Sequence, residues 1–285
     1  MLESLLARNI EWSAARHDAD PGYFARLAAL QAPEFFWIGC SDSRVPANVV
    51  AGLDPGEVFA IIGPNGAGKS TIFNLISRIY EPTRGTIRCD GQDITGLKAH
   101  DIAQLGIART FQNIELFDHS TVLANLLMGR HTHKSTNFVQ DILFLPKVRR
   151  EEREHRHRVE EVIEFLELEA YRNKMIAGLP YGVRKVVEIG RALALGPKLI
   201  LLDEPASGLS VEETQDVAYW IEDMRRDMGL TVLMVEHDMS LVNQVSDRVL
   251  AVANGKPLAM GTPQEVQAHP DVQAAYLGTA VGDAA

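Results

Sequence analysis

Residues 63–70 read GPNGAGKS and match the pattern G-x-x-x-x-G-K-[ST] without exception. The residue types dictate a chemistry. Gly66 and Gly68 let the backbone curl, so that successive N–H groups face a chain of phosphates. A helix starting near Lys69 would point the positive end of its dipole at the same place. Gly63, Pro64, Asn65, Gly66, Ala67, Gly68, Lys69, Ser70 and Thr71 therefore make a candidate nucleotide cradle. In it Lys69 reaches the β- and γ-phosphates and the Ser70 hydroxyl ligates Mg²⁺. A second stretch, LILLDEP at 199–205, supplies acids. Asp203 at the end of the apolar run can hold the Mg²⁺ shell, and Glu204 is placed to take a proton from an attacking water. Alone, two acids at a strand end mean little. Beside such a loop they complete a site for phosphoanhydride hydrolysis.

The elements that must position these groups follow from periodicity. EVFAIIG, before the loop, reads as a buried strand. KSTIFNLISRIY reads as a helix with Ile72, Phe73, Ile76 and Ile79 inward. KLILLD (198–203) and TVLMVEH (231–237) are unbroken apolar runs ending in a polar residue. Covered parallel strands look like this, and ligands sit at their C-terminal ends. GTIRCDGQDIT (85–95) and AVANGKPLA read as hairpins turning on Asp90-Gly91 and Asn254-Gly255. Thr262-Pro263-Gln264-Glu265 forms a capping box that opens a last helix. Residues 112–180 are mostly helical and polar. Within them, 147–168 carries both charge signs and a Val159, Val162, Ile163, Leu166 stripe, the mark of an exposed amphipathic helix.

From about Glu57 to Gly278 the order and identity of the motifs resemble the nucleotide-binding subunit of an ABC transporter. The resemblance implies an α/β fold: a P-loop NTPase core with a mainly parallel sheet plus a helical subdomain at about 112–182. It implies ATP and Mg²⁺ as cofactors. Gln112 in RTFQN stands at that family's Q-loop, which touches Mg²⁺ and the attacking water. LPYGVRK (179–185) stands at its signature motif, so Gly182 and the helix after it would face a partner's γ-phosphate. SGLS (207–210) occupies its D-loop, and His237 in VEHD matches its switch histidine. IARTFQNIELFDHSTVLANLLMGRH and the tail GTPQEVQAHPDVQAAYLG most resemble ATPases of branched-chain, hydrophobic amino-acid importers. The implied partners are a second ATP-binding subunit, identical or sister, and membrane permease subunits, with the chain peripheral on the cytoplasmic face. This sequence departs from the usual Leu-Ser-Gly-Gly-Gln signature. Pro180, Tyr181 and Val183 replace Ser, the first Gly and Gln, and Ser210 ends the D-loop where Asp or Asn is common.

Residues 1–56 have another character. CSDSRVPAN and its surroundings resemble the start of a β-class carbonic anhydrase, which makes this an α-helical, one-strand N-terminal fragment ahead of an ATP-binding domain at 57–285. The resemblance implies Cys40 as a zinc ligand and Asp42 with Arg44 as the acid–base pair gating the metal. Zinc, however, needs three protein ligands and an open position. That family draws the other two from a downstream His-x-x-Cys. Here no cysteine follows Cys89, and Thr86 stands three residues before it. The pairs His131/His133 and His155/His157 are spaced i,i+2, which on a helix does not face one ligand, so they read as solvated polar residues. Zinc is therefore not expected. The strands that should flank residues 86–89 are absent. Either EFFWIGC (34–40) substitutes for them, or an unpaired edge and an apolar patch are exposed.

The totals bound the function classes. A chain of 285 residues suits one large domain or two smaller ones. A net charge of −10 argues against nucleic acid as the partner. Two cysteines are no disulfide framework and fit a reducing compartment. No apolar run reaches the roughly 20 residues of a membrane helix. MLESLLARNIEW lacks the basic start and unbroken apolar run of a signal peptide. Three functions are consistent with the sequence: the ATPase subunit of an amino-acid importer, a zinc-dependent carbonic anhydrase with an incomplete site, and a truncated fusion with impaired ATPase activity.

Overall fold

A computed structural model describes residues 37–38, 52–136, 140–141 and 146–282. The strands are β1 (Trp37–Ile38), β2 (Val58–Ile62), β3 (Ile87–Cys89), β4 (Gln92–Asp93), β5 (Ile107–Arg109), β6 (Leu199–Asp203), β7 (Thr231–Val235), β8 (Arg248–Ala253) and β9 (Lys256–Gly261). The main helices are α1 (Lys69–Ile76), α2 (Ala99–Gln104), α3 (Val122–Met128), α4 (Pro146–Phe165), α5 (Tyr181–Ala194), α6 (Val211–Met228), α7 (Met239–Val245), α8 (Pro263–Ala268) and α9 (Pro270–Gly282).

Six strands form one sheet in the order β5-β6-β7-β2-β8-β9. Every pairing from β5 to β8 is parallel, and β9 returns antiparallel through the Asn254-Gly255 turn. All five residues of β2, β6 and β7 are buried, as their unbroken apolar runs require. Alternate side chains enter opposite layers. Val58, Ala60 and Ile62 pack with α5, α6 and α7 on one face, while Phe59 and Ile61 pack with α1 on the other. Each such fully buried large side chain contributes about 1.5–3 kcal/mol.

The turns obey local rules. Asp90 and Gly91 have φ of 53° and 74°, and Asn254 and Gly255 have 48° and 72°, as two-residue hairpin turns demand. The capping box at Thr262 closes with Thr262 N donating to Glu265 Oε2 at 2.8 Å and Glu265 N donating to Thr262 Oγ1 at 3.3 Å. Entry into β2 is also closed: Glu57 N reaches Asp54 O at 3.1 Å. Glu57 pairs with Arg248 across 191 positions, and Gly56 N donates to Thr231 Oγ1 at 3.0 Å. Leu53 is fully buried in the α1 layer.

One inward position is corrected. Ile79 is 49% exposed, because α1 stops at Ile76. Arg78 turns left-handed at φ 57°, and the N–H groups of Ile79 and Tyr80 both return to Asn74 O, at 2.9 and 3.0 Å. Past that turn the helical period no longer sets which side faces the core.

Helices α3, α4 and α5 pack on one another. The Val159, Val162, Ile163, Leu166 stripe is buried as its spacing predicts. Gly190 permits the close approach: a Cβ there would lie 2.9 Å from Leu126 Cδ2 and 3.0 Å from Leu166 Cδ1. The histidines divide. His131 and His157 are exposed, as expected. His155 is not a simple solvated residue: it is half-buried, with Arg130 Nε donating to its Nδ1 at 3.4 Å. Arg130 also donates to Ala194 O at 3.0 Å, and His133 Nε2 meets Leu195 O. Together these satisfy carbonyls at the C-terminal end of α5. Burial and the neighbouring Arg130 push the His155 imidazole below its ordinary value.

The smaller sheet has the order β1-β3-β4. β1 runs antiparallel to β3, with Trp37 opposite Arg88 and Ile38 opposite Ile87. A strand from EFFWIGC thus takes one of the places left empty beside residues 86–89. Cys40, Asp42 and Arg44 lie outside the described residues.

Candidate functional site

The phosphate loop leaves β2 and enters α1. Gly63 passes under β8, where a Cβ would stand 2.1 Å from Val252 O, so only glycine fits. Gly66 and Gly68 have φ of 77° and 99°, and Gly68 is the N-cap of α1. The loop is closed by Ala67 N to Pro64 O at 3.2 Å and by Gly255 N to Ala67 O at 2.9 Å. Lys69 is buried, and its Nζ donates to Gly63 O at 2.7 Å and Pro64 O at 3.0 Å. Its ammonium thus lies curled along the loop it is expected to serve. Burial lowers the Lys69 pKa, and the charges of Glu204 and Asp203 oppose that shift. Asn65, Gly66 and Ser70 are exposed, while Pro64 and Thr71 are partly so.

Asp203 closes β6 and is only 2% exposed. Its Oδ2 accepts from Arg109 Nη2 at 2.9 Å, and its backbone N–H donates to Thr110 Oγ1 at 3.1 Å. Burial pushes its carboxyl above the usual carboxylate range, and Arg109 pulls it back. Its Oδ1 is buried with no hydrogen-bond partner among the described residues. An unpaired buried carboxylate oxygen is costly, so this atom suits a cation or the water shell of one.

Glu204 sits just beyond, at a left-handed φ of 50°. Two backbone bonds hold that conformation: Glu204 N to Val235 O at 2.9 Å and Ser207 N to Glu204 O at 3.1 Å. Gln112 Nε2 donates to Glu204 Oε2 at 3.2 Å, and His237 Nε2 lies 3.1 Å from Glu204 Oε1. Three residues from three distant segments therefore meet at the ends of parallel strands. Gly182 is not in that cluster. It lies in the first turn of α5, where its nearest neighbour is the Glu213 carboxylate.

Sequence reasoning missed four supports. Arg109 holds Asp203, donates to Asn74 Oδ1 at 2.7 Å and Ser77 Oγ at 3.2 Å, and lies over the rings of Phe73 and Phe111. Glu236 is buried, and its carboxylate accepts from Ala206 N at 2.8 Å, His237 N at 2.8 Å and Asp238 N at 3.1 Å. It fixes the backbone on both sides of the Glu204–His237 contact. Burial raises its pKa against these bonds. Glu188 of α5, also buried, accepts from Phe111 N at 3.2 Å, one residue before Gln112. Burial raises the phenol pKa of Tyr276 in α9, and the neighbouring Gly63 backbone opposes that rise. A polar residue next to a motif, such as Glu236 beside His237, was the only available signal.

Among the described residues no group of three or more His, Cys, Asp or Glu side chains gathers to hold a metal ion. No helix of the described residues is long and apolar enough to cross a membrane.

Residues 47–207 match the family described as ABC transporter, and residues 256–282 match branched-chain amino acid ATP-binding cassette transporter. CSDSR (40–44) lies upstream of the first match, and none of these likenesses supports the resemblance of residues 1–56 to a β-class carbonic anhydrase. The high-affinity branched-chain amino acid transport ATP-binding protein BraF of Pseudomonas aeruginosa is 43% identical over 224 residues, covering 79% of this chain and 88% of that protein. LivG of Escherichia coli, described in the same words, is 41% identical over 233 residues, covering 82% and 91%. An ATP-binding cassette of an ABC transporter solved in its ADP conformation has a TM-score of 0.72 at 28% identity, over 87% of this chain and 97% of that one. A nucleotide-free cassette gives 0.71 at 28%, over 86% and 97%. Motif order, sheet topology and these likenesses agree: the chain belongs to the ABC transporter family, as an ATP-binding subunit that hydrolyses ATP.

Proposed function

We propose that this chain energises an importer of branched-chain, hydrophobic amino acids, with its ATP sites formed between two ATP-binding subunits, identical or sister. The meeting of Gln112, Glu204 and His237 beside the phosphate loop is the observation that carries this reading. The likeness to BraF and LivG and the match at 256–282 support the solute class. The subunit works at the cytoplasmic face, bound to membrane permease subunits.

Backbone N–H groups of the loop, among them those of Gly66, Gly68, Lys69 and Ser70, bind the β- and γ-phosphates together with the Lys69 ammonium. To do so, Lys69 exchanges its bonds to Gly63 O and Pro64 O for phosphate oxygens. Ser70, Gln112 and the unpaired Oδ1 of Asp203 are the groups that would hold Mg²⁺, which when bound neutralises charge on the phosphate oxygens. Glu204 takes the proton of a water whose oxygen attacks the γ-phosphorus, and the bond to the β-phosphate oxygen breaks as ADP leaves. His237 orients Glu204 and contacts the γ-phosphate. Gly182 and the first turn of α5 face the γ-phosphate held by the other subunit.

Glu204→Gln should bind ATP and lose turnover by about 10²–10⁴-fold, the scale of a general base. Equal hydrolysis by wild type and variant would remove Glu204 from the role of base. The solute class is tested by uptake of labelled leucine, isoleucine and valine into cells whose branched-chain importer lacks its own ATPase subunit. Restoration by the wild-type chain and none by Glu204→Gln is the expected result.

A further inference from the structure

Two glycines in different segments each seat a side chain from the other segment. Gly208, in the 207–210 loop, has φ +77°, and a Cβ built on it would stand 2.9 Å from Tyr181 Cε1 and 3.4 Å from Tyr181 Cζ and Oη. The Tyr181 ring therefore lies against the Gly208 backbone, and its hydroxyl donates to Ser207 O at 3.4 Å. In the other direction, a Cβ built on Gly182 would stand 1.9 Å from Glu213 Oε1 and 2.7 Å from Glu213 Cδ. Glu213 is itself fixed by a capping box: Ser210 N donates to Glu213 Oε2 at 2.8 Å, and Glu213 N donates to Ser210 Oγ at 3.2 Å. Pro180, the N-cap of α5, offers no side-chain acceptor to the first turn. The Glu213 carboxylate brings negative charge to that positive helix end instead.

The 207–210 loop is also tied to the base. Ser207 N donates to Glu204 O, and Ala206 N donates to buried Glu236. A continuous path of contacts thus runs from the first turn of α5, through Tyr181 and Glu213, to the loop three residues after Glu204.

We infer that Tyr181 and Glu213 are positioning residues that clasp the first turn of α5 to the 207–210 loop, so that the two move as one body. The inference rests on the proposed two-subunit ATP sites. In that arrangement the clasp links the α5 end engaging the partner's γ-phosphate to the Glu204 serving this chain's own ATP. Tyr181, at the position where the usual signature has glycine, supplies the ring that makes the link.

The test uses the full chain in the Glu204→Gln background, where bound ATP persists. Light scattering reads ATP-dependent dimerisation, and dilute equilibrium binding reads ATP affinity of the single chain. Tyr181→Ala should raise the ATP concentration for half-maximal dimerisation about three- to tenfold, the range for a lost aromatic contact. Tyr181→Phe keeps the ring on Gly208 and should stay within about twofold. Single-chain affinity should not move in either variant, and the melting temperature of Tyr181→Ala should fall by no more than about 6 °C, since Tyr181 is 46% exposed. Unchanged dimerisation of Tyr181→Ala would overturn the clasp alone. An equal loss of single-chain affinity would also overturn it, by placing the effect in the phosphate loop. Failure of Glu204→Gln itself to dimerise would overturn the two-subunit site, and the clasp's role with it.

Discussion

Replacing Arg109 by Met should destabilise the chain and silence its ATPase through one carboxylate. Arg109 is 10% exposed at its side chain, and Asp203 is 2% exposed. The 2.9 Å bond between them is therefore shielded from solvent. Methionine keeps much of the aliphatic bulk between Phe73 and Phe111 but leaves Asp203 without its cation. Removing one partner of a buried pair costs about 3–5 kcal/mol. At about 2–4 °C per kcal/mol for a chain near this size, the melting temperature should fall by roughly 6–20 °C. The loss should depend on pH in a definite direction. Burial already raises the Asp203 pKa in the folded chain, and Arg109 opposes that rise. A group whose folded pKa is raised contributes its stability fully below the unfolded carboxylate value and loses it as pH rises through the folded value. Without Arg109 that rise is larger. The gap between wild type and variant should therefore be widest at neutral and alkaline pH and narrow toward acid. Asp203→Asn added to Arg109→Met should cost less than the two single changes summed. Melting curves by circular dichroism from acid to mildly alkaline pH, with ATPase rates alongside, make the measurement. A variant that melts with wild type at neutral pH, or a gap that widens toward acid, would refute the reasoning.

Two further substitutions probe the supports and the correction. Glu236→Gln leaves one carbonyl oxygen and an amide NH₂ against three backbone donors, so it should lose about 1.5–3 kcal/mol and lower turnover through a displaced His237; denaturant melts and kcat at saturating ATP check both. Ile79→Thr should change stability by no more than about 0.5 kcal/mol, because Ile79 is solvated beyond the end of α1; a loss of several kcal/mol in the same melts would return it to the core.

Much of this molecule was legible locally. The phosphate loop was readable because its glycines, lysine and serine are demanded by one ligand at one spacing. Strands β2, β6 and β7 were readable because strands covered on both faces need unbroken apolar runs, and the two hairpins because Asp-Gly and Asn-Gly accept positive φ. The end of the first helix was not legible. KSTIFNLISRIY keeps a helical pattern through Ile79, and only the left-handed turn at Arg78 breaks it. Nor was the service of His155 and Arg130 at the end of α5, which depends on how α3, α4 and α5 pack.

The sequence by itself determined the nucleotide-binding motif and the parallel core and pointed to the residues proposed to carry hydrolysis, because each is written within a few consecutive positions. Tertiary structure alone decided which side chains sustain that chemistry. Arg109 reaches Asp203 across 94 positions, and Glu236 reaches Ala206 across 30. It also decided that Trp37–Ile38 would pair with β3, and that Tyr181 and Gly208 would meet. The physical reason is range. Backbone conformation is set by neighbours along the chain, whereas the partner of a buried charge or of a strand edge is whatever group the completed fold brings alongside.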